Sequence, residues 1–127
     1  MYHKLLISLS VISIIYISFY TPEGNAHSWY THSYLKLTIE TDEVFYEWEY
    51  ENPNSFEFEK GNRIVRGEEA KESFENMLSK FDLSETTIDD EVVSLLEQEG
   101  LSHINRIVIH RLDFDNGYKT WLWNKKE

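Results

Sequence analysis

Residues 44–51 alternate from one side of the backbone to the other: Val44, Tyr46, Trp48 and Tyr50 fall on one side, Phe45, Glu47, Glu49 and Glu51 on the other. A period of two with acids on one side predicts a strand that buries only its other face. Residues 34–40 repeat the pattern, with Leu35, Leu37 and Ile39 opposite Tyr34, Lys36 and Thr38. Thr41-Asp42 reads as the turn between these two strands. Asn52-Pro53-Asn54-Ser55 is turn chemistry, and Phe56-Glu57-Phe58-Glu59 resumes the alternation as a third strand. Gly61-Asn62 interrupts it, leaving residues 63–66 as a further short strand candidate before Gly67.

The period then changes. Ala70, Phe74, Met77, Leu78 and Phe81 recur at helical spacing, which predicts a helix over 68–81 with acids in its first turn. Residues 82–86 link it to a second helix. Thr87 with Asp90 three residues on resembles a capping box, Val92, Val93, Leu95 and Leu96 supply an apolar face, and Gly100 falls where a helix C′ glycine is expected.

Residues 104–124 read as a β-hairpin closed by Asp115-Asn116-Gly117-Tyr118, because Asn-Gly suits the two positive-φ positions of a type I′ turn. A two-residue loop would pair Asp115 with Tyr118. Val108, His110, Leu112 and Phe114 would then share a face with Lys119, Trp121 and Trp123. Ile107, Ile109, Arg111 and Asp113 would share the other with Thr120, Leu122 and Asn124. The tryptophan-bearing face holds most of the large apolar area and is expected inside. Together the elements predict an α+β fold: a single antiparallel sheet with two helices packed on one face, in the order β-β-β-α-α-β-β.

Ahead of this domain, Lys4 precedes sixteen uncharged residues, 5–20, followed by Thr21-Pro22-Glu23-Gly24-Asn25-Ala26. A basic start, an apolar run and small residues three and one before a scissile bond make up a secretory signal peptide, with the cut expected between Ala26 and His27. A short membrane anchor is the alternative. The run falls below the roughly 17–25 residues of a spanning helix. Either way, residues 27–127 are expected as one exported α+β domain outside the cytoplasm.

Charge and composition narrow the function. The chain carries 23 acidic and 12 basic residues, a formal charge of −11. Losing residues 1–26 removes Lys4 and Glu23 and leaves the balance at −11. No basic stripe exists to release counterions, so nucleic acid and anionic lipid are disfavoured as partners. A cationic protein or a cell-envelope component is expected instead, with membrane contact only through 1–26 if these stay attached. There is no cysteine, hence no disulfide, thiol nucleophile or thiolate metal site. The missing cysteines and glycosylation sequons point to a bacterial exported protein. No cofactor is expected.

Three constellations remain. His27, as a mature N-terminus, would offer an α-amino group and an imidazole to copper, with His32, His103 or His110 as a further ligand and His32 nearest in sequence. Glu47, Glu49 and Glu51 share one strand side, with Glu57 and Glu59 on a neighbouring strand. They suit a cationic partner, or, with His110, a hydrolase's acid and base. Trp29 and Tyr30 lie before the alternation begins and are expected exposed, as part of a binding surface with the three glutamates, whereas Trp48, Trp121 and Trp123 are expected in the core. Residues 113–117 and 82–87 lack the glycine and glutamate offsets of a calcium loop. Gly61–Gly67 runs into Glu68-Glu69 where a phosphate loop needs Lys-Ser/Thr. No nucleophile elbow occurs. The leading expectation is therefore a non-enzymatic binding module.

Overall fold

The computed structural model describes residues 27–115 and 117–127. Residues 1–26, expected as a signal peptide or short membrane anchor, and Asn116 lie outside the described residues. A 3-10 turn, Trp29–Thr31, leads into four strands: β1 His32–Thr41, β2 Phe45–Glu51, β3 Ser55–Lys60 and β4 Arg63–Arg66. Helices α1, Glu68–Leu78, and α2, Asp90–Gln98, follow. The chain closes with β5 Ile104–Asp113 and β6 Gly117–Asn124. The fold is α+β, with one six-stranded antiparallel sheet in the order β4-β3-β2-β1-β5-β6 and two helices. The short fourth strand makes the element order β-β-β-β-α-α-β-β rather than the expected one. Among the described residues no helix is long and apolar enough to cross a membrane.

Alternation decides the faces of the first three strands as expected. Leu35, Leu37 and Ile39 of β1 and Trp48 and Tyr50 of β2 are buried, with Phe56 of β3 beside them. They meet Ala70, Phe74, Met77 and Leu78 of α1 and Val93 and Leu96 of α2 in one core. Trp48 donates its indole N–H to Ser73 Oγ at 2.9 Å, so the ring is buried without an orphaned donor.

The C-terminal hairpin departs from the two-residue loop. Asp113 pairs with Gly117, Leu112 with Tyr118 and Ile109 with Trp121, so residues 114–116 form the connection. Gly117 takes φ +71°, the left-handed conformation that closes three-residue hairpin loops. Against the expected pairing, this register exchanges the two sides of β5. Ile107, Ile109, Arg111 and Asp113 now share the core side with Trp121 and Trp123, while Val108, His110 and Leu112 share the opposite side with Tyr118, Thr120 and Leu122. The tryptophans lie on the expected side; their β5 neighbours do not.

The helix ends also differ in detail. α1 stops at Leu78, and i→i+3 bonds, Lys80 N–H to Met77 O and Phe81 N–H to Leu78 O, tighten the chain beyond it. Asp89, not Thr87, caps α2, its carboxylate accepting from Glu91 N–H at 3.0 Å. Gly100 is the C′ residue, as expected. It has φ +117°, and Leu101 N–H to Leu96 O with Gly100 N–H to Glu97 O completes a Schellman ending.

Candidate functional site

The side of the sheet away from the helices gathers the acidic residues. The register sets them in rows that cross the strands. One row runs Arg66, Glu57, Glu49, Lys36, His110, Thr120 from β4 to β6, and the next runs Ile64, Glu59, Glu47, Thr38, Val108, Leu122. Glu51 faces Tyr34, and Glu40 faces Arg106, in the flanking rows. Six carboxylates thus share the face with Lys36, Arg66 and Arg106. Lys36 Nζ lies 3.0 Å from Glu47 and 3.6 Å from Glu49, and Arg66 Nε donates to Glu57 at 2.9 Å.

The electrostatics follow from this crowding. Partial burial, then repulsion by Glu47, Glu51 and Glu57, pushes the Glu49 carboxyl up despite the Lys36 ammonium. Burial and the Glu49 charge hold the Tyr34 phenol at about 12. Burial works against the Lys36 charge, but the hydrogen bond to Glu47 and the surrounding negative groups leave its pKa raised. At the outer edge a hydrogen bond between the Glu57 and Glu59 carboxyls, with Arg66 on Glu57, lowers Glu57 and raises Glu59.

Toward β5 and β6 the same face turns apolar. A shallow cavity of about 550 Å³ has Tyr34, Lys36 and Glu47 on one side and Val108, His110, Tyr118 and Leu122 on the other. Leu112, Tyr118 and Leu122 are exposed here. His110 Nδ1 meets the Tyr118 hydroxyl and lies 3.1 Å from Thr120 Oγ1. The expected register sets His110 beside Trp123 on the core side; the three-residue loop places it on the open one.

Of the expected binding surface, Glu47, Glu49 and Glu51 stand together on this face. Trp29 does not join them. It is only 7% exposed, packs against Tyr50, Phe56 and Phe74, and donates to Glu75 Oε1 at 2.8 Å, because the 3-10 turn folds it back over the core. Tyr30, one residue on, is 89% exposed, as expected. Trp48 and Trp121 are buried and Trp123 is partly buried against the same core.

The histidines divide. His103 and His110 lie apart, in the α2–β5 connection and on the open face. His27 and His32 meet with their Nε2 atoms 2.7 Å apart and their rings stacked at 4.7 Å. On its other nitrogen His32 contacts the Asp113 carboxylate, whose second oxygen lies 2.9 Å from Arg111 Nε. That guanidinium N–H is not aimed along the line to the oxygen, so the contact is an ion pair without a well-formed hydrogen bond. Its Cζ sits 4.9 Å over the Trp121 ring. The hairpin register creates this cluster by turning Arg111 and Asp113 inward, so sequence reasoning with the other register missed Asp113. The bulge between His32 and Tyr34 in the β1–β5 pairing is part of the same arrangement. Among the described residues no group of three or more histidines and carboxylates is arranged to hold a metal.

Comparison with protein-family models, with curated proteins and with solved structures returns no match.

Proposed function

We propose that the chain is a non-enzymatic binding module, exported from the cell, that receives a basic protein segment on the helix-free face of its sheet. One observation carries this reading. Neighbouring strands place Glu59 opposite Glu47, and Glu57 opposite Glu49, so like charges face each other directly across β2 and β3. Such pairs are destabilising in a sheet, and a partner bearing Lys or Arg relieves them. The adjoining apolar strip of Leu112, Tyr118 and Leu122 gives that partner area to cover. Export rests on the charge-free run after Lys4 and the small residues Gly24 and Ala26. The segment then belongs to an extracytoplasmic protein or a cell-envelope component.

The hydrolase reading is weaker on geometry. His110 is on β5 and Glu49 on β2, with β1 between them. Two strand spacings separate the groups by about 10 Å, beyond direct proton transfer, and Lys36 stands in the gap.

The reading is tested by titrating the protein with a synthetic peptide of alternating Lys and Leu and following backbone amide shifts. Saturable shifts confined to β1, β2, β5 and β6, lost in a chain carrying E47Q, E49Q and E57Q, are the expected result. Equal binding of a Glu–Leu peptide, or shifts centred on α1 and α2, would sink it.

A further inference from the structure

His32 is 5% exposed and Asp113 8%. With Asp113 on its Nδ1, His32 has Nε2 as its remaining ring nitrogen. That atom lies 2.7 Å from Nε2 of His27. A hydrogen bond between the rings accounts for this contact, and the same two nitrogens can instead meet on a metal ion when each ring keeps its proton on Nδ1.

We propose that His27 and His32 form a binding site for a divalent transition metal that prefers nitrogen, Cu(II) above all, with Asp113 as the residue that orients His32. The nitrogen donors favour one class of metal. Two nitrogens each about 2.0–2.1 Å from an ion and at right angles to one another lie ~2.9 Å apart, whereas tetrahedral ligands lie ~3.4 Å apart. The 2.7 Å contact is a hydrogen-bond distance, and a movement of ~0.2 Å brings the nitrogens to the first spacing. Tetragonal nitrogen geometry belongs to Cu(II) and Ni(II), and copper heads the affinity order of the divalent series. His27 is half-buried, so water reaches that end of the pair and completes the coordination. Arg111 neutralises Asp113, leaving the carboxylate as an acceptor for His32 rather than a competing ligand. The site is separate from the helix-free face and does not depend on the binding role proposed for it.

The test is a Cu(II) titration of the full chain carrying H3A, which removes the histidine that lies outside the described residues. Tryptophan fluorescence and electron paramagnetic resonance are read together. The Trp29 ring sits 4.6 Å from the His27 ring, so copper at the pair quenches its emission. One equivalent is expected to bind with nitrogen hyperfine structure. H27A weakens binding at least tenfold, D113N weakens it about 10–100-fold as loss of an outer-shell partner does, and H103A binds like its parent. Should H32A fail to fold, H27A, at the more open position, still decides between a site at this pair and none. Copper uptake that does not saturate at one equivalent, or that is unchanged in H27A, overturns the site.

Discussion

Trp29 and Tyr30 show how much a single side chain's fate depends on partners far along the chain. They are adjacent and chemically alike, yet one is sealed and the other open. Trp29 is held by Glu75, 46 residues away, and by the rings of Tyr50, Phe56 and Phe74. No local period marks such a residue, because a 3-10 turn has too few positions to show one. W29A should therefore cost about 3–5 kcal/mol and Y30A less than about 0.5 kcal/mol, compared by urea denaturation. Similar losses for both would show that the turn does not fold Trp29 inward. Glu49 gives a second residue-scale test. Its carboxyl is pushed above the ordinary value by burial and by the surrounding acids, so the folded chain holds that proton more tightly than the unfolded chain does. Its contribution is thus fully present below the unfolded pKa and lost as pH rises through the folded one. E49Q mimics the protonated group, while Lys36 keeps its nearer partner, Glu47. The variant should gain roughly 0.2–1 kcal/mol at pH 7 and match the parent near pH 4; a loss at pH 7 would mean that the Lys36 pair dominates.

At the scale of elements, alternation and helical period carried most of the fold. β1, β2 and β3 lie where the two-residue period placed them because their acidic and apolar sides differ sharply. α1 and α2 lie where the apolar stripe placed them. What pattern does not determine is parity across a turn. Asn116-Gly117 fits a two-residue loop, but Gly117 serves equally as the left-handed residue that follows a three-residue connection, and both sides of β5 hold apolar residues. Ile107 and Ile109 compete with Val108 and Leu112 for the core, and Trp121 opposite Ile109 is where they win. This is also why Asp113 was not legible as the partner of His32. The open face fared better, because the glutamates of β2 share a side in any register. Three substitutions probe the turn and cap assignments. An added Cβ at Gly117 meets nothing within 4 Å, so G117A pays only for φ +71°. It should cost about 1–2 kcal/mol. D89A should cost about 1 kcal/mol and T87A almost nothing, since Asp89 makes the cap bond to Glu91. The reverse order in thermal melts would restore Thr87 as the cap.

The whole molecule carries a formal charge of −11, and its helix-free face sets carboxylates opposite one another where a sheet selected for stability alone would alternate their signs. Two explanations predict opposite outcomes for the triple variant E47Q, E49Q, E57Q. If the acids hold the sheet together through Lys36 and Arg66, neutralising them removes three ion pairs and the melting midpoint falls. If they repel one another and await a basic partner, neutralising them relieves the repulsion and the midpoint rises. Exposed pairs such as Arg66–Glu57 contribute little in water. The rows place Glu59 against Glu47 and Glu57 against Glu49 with Lys36 reaching only the inner strand. The second outcome is therefore expected. A gain of about 1 kcal/mol would raise the midpoint of a domain this size by roughly 4–8 °C at low salt. The gain should shrink in 0.5 M NaCl as the charges are screened. The same variant should no longer bind the Lys–Leu peptide. More stability with less binding is the signature of a face kept for a partner; a lower midpoint at low salt would return the glutamates to a structural role.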